Sequence, residues 1–174
     1  ESAFGIPVYV EHDMRALVFG EMWIGGQIRN MLCLGFRHGI GLGIVMNGEL
    51  YRGSNQFAGD LGHVTVDPNG PLCSCGRRGC LEVMSSEKTI LENARKLPEH
   101  NGPLTIQAIC EALNRGDAPV KAIVADASKY IASVLSDLVR IFDPEKIVVG
   151  GDTIAQSAPF IQVIREQFAS MQPN

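Results

Sequence analysis

The apolar positions change period several times along the chain, and each change predicts an element. IPVYV at 6–10 is β-rich and predicts a short strand. Met14, Leu17, Val18 and Met22 then recur at helical spacing, and Gly25-Gly26 supplies the stop. Two apolar runs of strand length follow, roughly 30–36 and 40–46. Asn47-Gly48 ahead of Glu49-Leu50-Tyr51 is a hairpin signal, because the tight turn needs residues that accept positive φ. GHVTV at 62–66 predicts another strand, and Asp67-Pro68-Asn69-Gly70 is turn chemistry.

Downstream the period becomes helical. Ser85 or Ser86 is a candidate N-cap for a helix closing at Leu97-Pro98. Thr105 caps a second, ending near Arg115-Gly116. Pro119 opens a long third helix with one apolar stripe running from Val120 through Val124, Ile131 and Leu138 to Phe142, ended by Asp143-Pro144. The stripe is long enough to serve a subunit contact as well as a core. KIVVGGD reads as a buried strand entering a glycine turn, and a last helix starts near Ala158. Strands at both ends with helices between predict an α/β fold.

Composition narrows the classes. With 174 residues, 45% hydrophobic and 20% charged, the chain suits one domain with a real core. The net charge is −4, and the only adjacent basic pairs are Arg77-Arg78 and Arg95-Lys96, so this segment is not expected to bind nucleic acid itself. No run of 18 apolar residues exists to span a membrane, and no leader pattern is visible, so a cytoplasmic location is expected. The chain begins ESAFGIP, which reads as the approach to a strand in a longer protein.

The densest chemistry is CSCGRRGCLE at 73–82. Three of the five cysteines fall here, and His63 stands ten positions before Cys73, giving H-x9-C-x-C-x4-C. His63, Cys73, Cys75 and Cys80 supply one imidazole and three thiolates, a tetrahedral zinc set. Four protein ligands would close the site, so the metal would be structural. Gly70, Gly76 and Gly79 permit tight wrapping, and Arg77 and Arg78 can offset thiolate charge. Disulfide or redox pairing and plain buried thiols are the alternatives. Cys33 and Cys110 sit in an apolar strand and an amphipathic helix, which predicts core roles. After Cys80 the segment LEVMSSEKTILEN carries Glu82, Glu87 and Glu92, which would repel phosphate, unlike the helix of a DNA-reading finger.

GDLGHVTV followed by CSCGRRGCLE resembles the signature of the ROK family (repressors, open reading frames and kinases). VEHD at 10–13, RHGIGLG at 37–43 and VVGGD at 148–152 extend the resemblance over essentially the whole chain. It implies the actin-like ATPase fold, in which two RNase H-like lobes enclose a cleft with a sugar at its base. Residues 1–174 would then be a sugar-binding fragment, mostly the second lobe, with a zinc loop at 63–82. The resemblance implies a sugar contact for Asp13, which takes the proton of the attacking hydroxyl in the kinases, with His12 beside it. It implies that His63 both ligates zinc and touches sugar, and that Glu82 is a sugar contact. Asp60 stands where the family usually has Glu; one methylene shorter, it implies a shifted ring or a different sugar.

The same resemblance bears on activity. The family's kinases have N-D at the position of His12-Asp13 and G-T-G-I-G at Arg37–Gly41. Here Arg37 and His38 replace the two small residues, and His12 and His38 resemble the sugar-responsive repressors. A sugar-sensing domain of a transcriptional regulator is implied. It would bind a monosaccharide or sugar phosphate, work as a homodimer or tetramer, and contact DNA through an upstream winged helix-turn-helix absent from this chain. The alternative is a sugar kinase using ATP, with Asp13 as general base. A protein-interaction module that no longer binds sugar is a third reading.

Overall fold

The computed structural model describes residues 3, 5–8, 11–26, 28–36, 39–98, 105–151 and 157–172. Helix α1 (Asp13–Ile24) leads into strands β1 (Met31–Phe36), β2 (Ile40–Met46) and β3 (Glu49–Leu50). Asn47 and Gly48, at φ 56° and 82°, make the turn between β2 and β3 that the sequence predicts. Helices α2 (Leu81–Ser85), α3 (Glu87–Ala94), α4 (Ile106–Asn114) and α5 (Ala118–Phe142) follow, then β4 (Lys146–Gly150) and α6 (Ala158–Ser170). The sheet order is β3-β2-β1-β4. β1 pairs antiparallel with β2, Leu34 facing Leu42, and parallel with β4, Met31 facing Lys146.

Side chains alternate across a strand, so the two faces of this sheet bury different partners. Leu32, Leu34, Phe36, Leu42 and Ile44 join Ile131 and Leu135 of α5 and Phe160 and Ile164 of α6 in the main core. Phe36 and Phe160 meet edge to face with ring centroids 6.3 Å apart. On the other face Met31, Cys33 and Val45 pack against Val18 of α1. This approach is close: a Cβ at Gly35 would lie 1.9 Å from Met14 Sδ, and one at Gly43 would lie 2.0 Å from Val18 Cγ2. The glycines of β1 and β2 therefore set how near α1 lies, and with it the position of the residues at its start.

Two helix starts follow the caps read in the sequence, Ser86 and Thr105, and the cap of the third, Asp117, stands two residues before Pro119. Ser86, Thr105 and Asp117 accept from Thr89 N, Ala108 N and Val120 N. Asp143 takes a left-handed conformation at φ 43° and closes α5. The α5 stripe is spent on the core, with Val120, Val124, Ile131 and Leu138 buried.

Three expectations need correction. The strand expected over 62–66 is a single 3-10 turn, Leu61–His63, followed by one isolated bridge between Thr65 and Cys80. Its backbone pairs with the cysteine loop instead of the sheet: Leu81 N donates to Val64 O and Val66 N to Gly79 O. The strand expected over 6–10 is absent at residues 6–8, where Ile6 and Val8 are exposed and outside the sheet; residues 9 and 10 lie outside the described residues. The helix from Ser86 stops at Ala94, short of Leu97-Pro98, and a separate turn of helix, α2, precedes it. Ser86 breaks the two apart by turning extended, at ψ 162°, to cap the second.

Candidate functional site

The cysteine loop folds as the spacing predicts. Cys73 N donates to Arg77 O, and Gly79 N to Pro71 O, closing a tight double turn. The ligand atoms of His63, Cys73, Cys75 and Cys80 all lie within 4.8 Å of one another. A tetrahedral zinc with bonds of about 2.3 Å to sulfur and 2.0 Å to nitrogen has S···S edges of about 3.8 Å and S···N edges of about 3.5 Å. The Cys75 and Cys80 sulfurs are 3.6 Å apart, and Cys73 Sγ is 3.5 Å from His63 Nδ1. Those spacings fit a metal and are far from the ~2 Å of a disulfide. None of the five cysteines is joined in a disulfide.

Electrostatics support a cation in this loop. The Arg77 backbone N–H and then its guanidinium draw the exposed Cys75 thiol down to about 6. Burial pushes Cys80 up to about 12, so its thiolate needs a positive partner. Arg78 instead donates to Gly70 O at 3.3 Å and closes the loop. Cys33 and Cys110 are core thiols as expected; burial raises both, Cys33 to about 12.

Two residues beyond Cys80, Glu82 enters an open cleft of about 800 Å³. Its walls include His12, Asp13 and Arg15 at the start of α1, Gly39 and the first residues of β2 to Leu42, Gln56–Asp60, Glu82 and Glu87. His12 caps α1, its Nδ1 accepting from Met14 N at 3.4 Å. Asp13 Oδ1 accepts from the same N–H at 2.7 Å and lies 3.0 Å from His12 Nδ1. Arg15 donates to Glu11 Oε1 at 3.2 Å and to Gln56 O at 2.5 Å, and Arg52 pairs with Glu11 from the other side. The His12 backbone N–H, then Arg52 and Arg15, pull the Glu11 carboxyl down to about 2. This network fastens the segment 52–57 to the start of α1 and shapes the cleft between them.

The ROK family profile matches residues 1–172. The chain belongs to the ROK family. This ROK chain is 33% identical over 159 residues to the DNA-binding transcriptional repressor Mlc of Escherichia coli, covering 86% of the chain and 39% of that protein. It is 33% identical over 178 residues to a glucokinase of Halalkalibacterium halodurans, covering 94% of the chain and 54% of that enzyme. The chain thus spans about half or less of the length of these relatives. A ROK glucokinase from Streptomyces griseus, solved with glucose and AMPPNP, superposes with a TM-score of 0.89 at 28% identity, covering 99% of the chain and 63% of that one. The mixed sheet flanked by helices is the actin-like ATPase fold of these ROK sugar kinases.

Within this ROK chain the structure brings His12, Asp13, Asp60 and Glu82 to one cleft. His63 is not among the lining residues; its Nδ1 faces the thiols. Arg37, His38 and Asp152 lie outside the described residues. Sequence reasoning missed Arg15, Gln56 and Glu87 as cleft residues. Glu87 follows a cap in an acidic stretch and reads as surface. Arg15 and Gln56 carry no signal at all, because only tertiary pairing joins them. Among the described residues, no helix is long and apolar enough to cross a membrane.

Proposed function

We propose that this chain is the sugar-sensing part of a ROK transcriptional regulator. A monosaccharide would sit in the cleft with its hydroxyls donating to Asp13, Asp60 and Glu82, since carboxylates accept hydrogen bonds that hydroxyls give. His63, Cys73, Cys75 and Cys80 would hold Zn²⁺ as a structural ion, fixing Cys80 and so the helix that carries Glu82. The observation that carries the regulator reading is the imidazole of His12, 3.0 Å from Asp13 Oδ1. A general base in phosphoryl transfer must accept the sugar's proton, and the residue beside this candidate base is a second polar group competing for it. Arg37 and His38, in place of small residues before Gly39, favour the same reading.

In the full protein the sugar would bind one arrangement of the lobes more tightly. That difference would bias DNA-binding domains supplied by a segment upstream of this one, in a homodimer or tetramer. The second reading is an ATP-dependent sugar kinase with Asp13 as general base, favoured by the similarity to glucokinases. One experiment separates them. Full-length, zinc-loaded protein is titrated calorimetrically with D-glucose, D-xylose and N-acetyl-D-glucosamine, and ADP release is followed with ATP present. A regulator binds one of the sugars without sugar-dependent turnover. Turnover at roughly 1–100 per second makes the protein a kinase.

A further inference from the structure

One wall of the cleft holds an aromatic ring out in solvent. Of the large apolar side chains that line the cleft, Met14, Ile40 and Leu42 are buried, whereas Phe57 is 77% exposed. Among the described residues Phe57 packs into neither core cluster and has no ring partner. Single apolar side chains on a surface are ordinary, so exposure alone decides nothing. The backbone beneath the ring is what sets Phe57 apart. Gln56, immediately before it, stands at φ 63°, left-handed for a residue that carries a side chain. Arg15 holds it there, donating to Gln56 O at 2.5 Å and to Gln56 Oε1 at 3.4 Å, and is itself tied to Glu11 Oε1 at 3.2 Å. On the other side Phe57 O accepts from Asp60 N at 3.2 Å, and Gly59 O accepts from Leu42 N of β2 at 2.9 Å. A Cβ at Gly59 would lie 1.9 Å from Leu42 O, so only glycine permits that approach. The loop thus keeps a disfavoured conformation beside an aromatic ring that contributes nothing to the core. Strain retained in this way belongs with ligand contacts.

We propose that Phe57 is a ligand-contacting residue, its ring lying against the C–H face of the bound sugar, with Arg15 as the positioning residue that aims it through Gln56. The inference rests on the sugar-sensing reading above. A sugar ring is amphipathic: hydroxyls point outward from its edge, and the C–H groups between them leave an apolar face. His12, Asp13, Asp60 and Glu82 give the cleft partners for the edge. Phe57 gives it a flat apolar surface for the face, and an apolar wall with a few convergent polar groups is the composition of a small-molecule site. Covering the ring also removes from water an aromatic surface that the fold leaves wet.

The test is calorimetric titration of full-length, zinc-loaded native, Phe57→Ala and Phe57→Trp protein with D-glucose, D-xylose and N-acetyl-D-glucosamine, beside tryptophan fluorescence. Expected is a loss of about tenfold in affinity for the tightest-binding sugar in Phe57→Ala, with Phe57→Trp within about threefold of native. That sugar should also shift the emission of Phe57→Trp by more than it shifts the native protein, because the ligand covers the new indole. A folded Phe57→Ala that binds as tightly as native overturns the proposal and leaves sugar sensing intact. Affinity lost in Phe57→Ala, and neither restored nor reported by Phe57→Trp, also overturns it and assigns the ring to a contact within the full-length protein. Failure of the native protein to bind any of the three sugars, with zinc content and circular dichroism normal, overturns the sugar-sensing reading and this inference with it.

Discussion

Replacing Gly39 by alanine tests whether Glu82 works from the position it holds. The added Cβ would lie 2.7 Å from Glu82 Oε2 and 3.6 Å from its Cδ, and among the described residues beyond its chain neighbours no other atom comes within 4 Å. Gly39 is not in the left-handed region, so its own backbone accepts alanine. What must give is the end of a flexible side chain, at a rotamer cost on the order of 0.5–1.5 kcal/mol. The fold tolerates that, with a melting temperature lower by about 2–4 °C per kcal/mol in a chain this size. A bound sugar loses much more. A hydrogen bond to a charged group is worth about 1.5–3 kcal/mol, which is about 10- to 150-fold in Kd. The assay is calorimetry with the tightest-binding sugar, beside a urea titration of the same protein. Unchanged affinity in a folded variant would refute the placement of Glu82 at the ligand. Gly62→Ala is the contrast: its Cβ would lie 2.7 Å from Ile40 O, a backbone atom that cannot swing away, so stability falls with affinity.

Other consequences are open to direct measurement. Elemental analysis should find close to one zinc per chain, and Cys80→Ser should lose it along with several kcal/mol of stability, given the size of structural zinc contributions; a fully stable, metal-free variant contradicts this. Phe160→Ala should cost about 3–5 kcal/mol in urea denaturation, as it empties a core site and removes the edge-to-face partner of Phe36; a loss below about 1 kcal/mol means that the site collapses or is not packed as described. Glu11 ionises more readily folded, near 2, than its ordinary 4.5, so its contribution is full above pH 4.5 and fades as pH falls towards 2. The stability difference between the native protein and Glu11→Gln should therefore narrow between pH 6 and pH 3, and a constant difference would show that the Arg15–Glu11–Arg52 contacts carry no such linkage.

The parts of the molecule legible in the sequence are those fixed by local chemistry. Caps at Ser86 and Thr105, the Asn47-Gly48 turn and the α5 stripe depend on neighbours within a few residues, and all stand where pattern puts them. The cysteine cluster was legible for the same reason, since its ligands sit within one loop. GHVTV misled because β-rich composition does not say which partner the backbone takes, and here that partner is the cysteine loop. Asp13, Asp60 and Glu82 were found through resemblance, while the cleft they share with Glu87 and Gln56 arises from tertiary assembly alone.

The parallel pairing of β1 with β4 has a consequence for how the protein is made. Met31 meets Lys146 across more than a hundred intervening positions, whereas His63 and Cys80 close over a short loop. On a ribosome the loop and the β1–β2 hairpin emerge complete long before β4 exists, so the sheet must wait with one edge of β1 unpaired. Distant pairing is slow to form and leaves apolar strand exposed meanwhile. Metal captured early by the loop would hold α2 in place for α5, which packs on it, and zinc-starved cells should accumulate more aggregated nascent chain than zinc-replete ones. Equal aggregation in both would place metal binding after the sheet has closed.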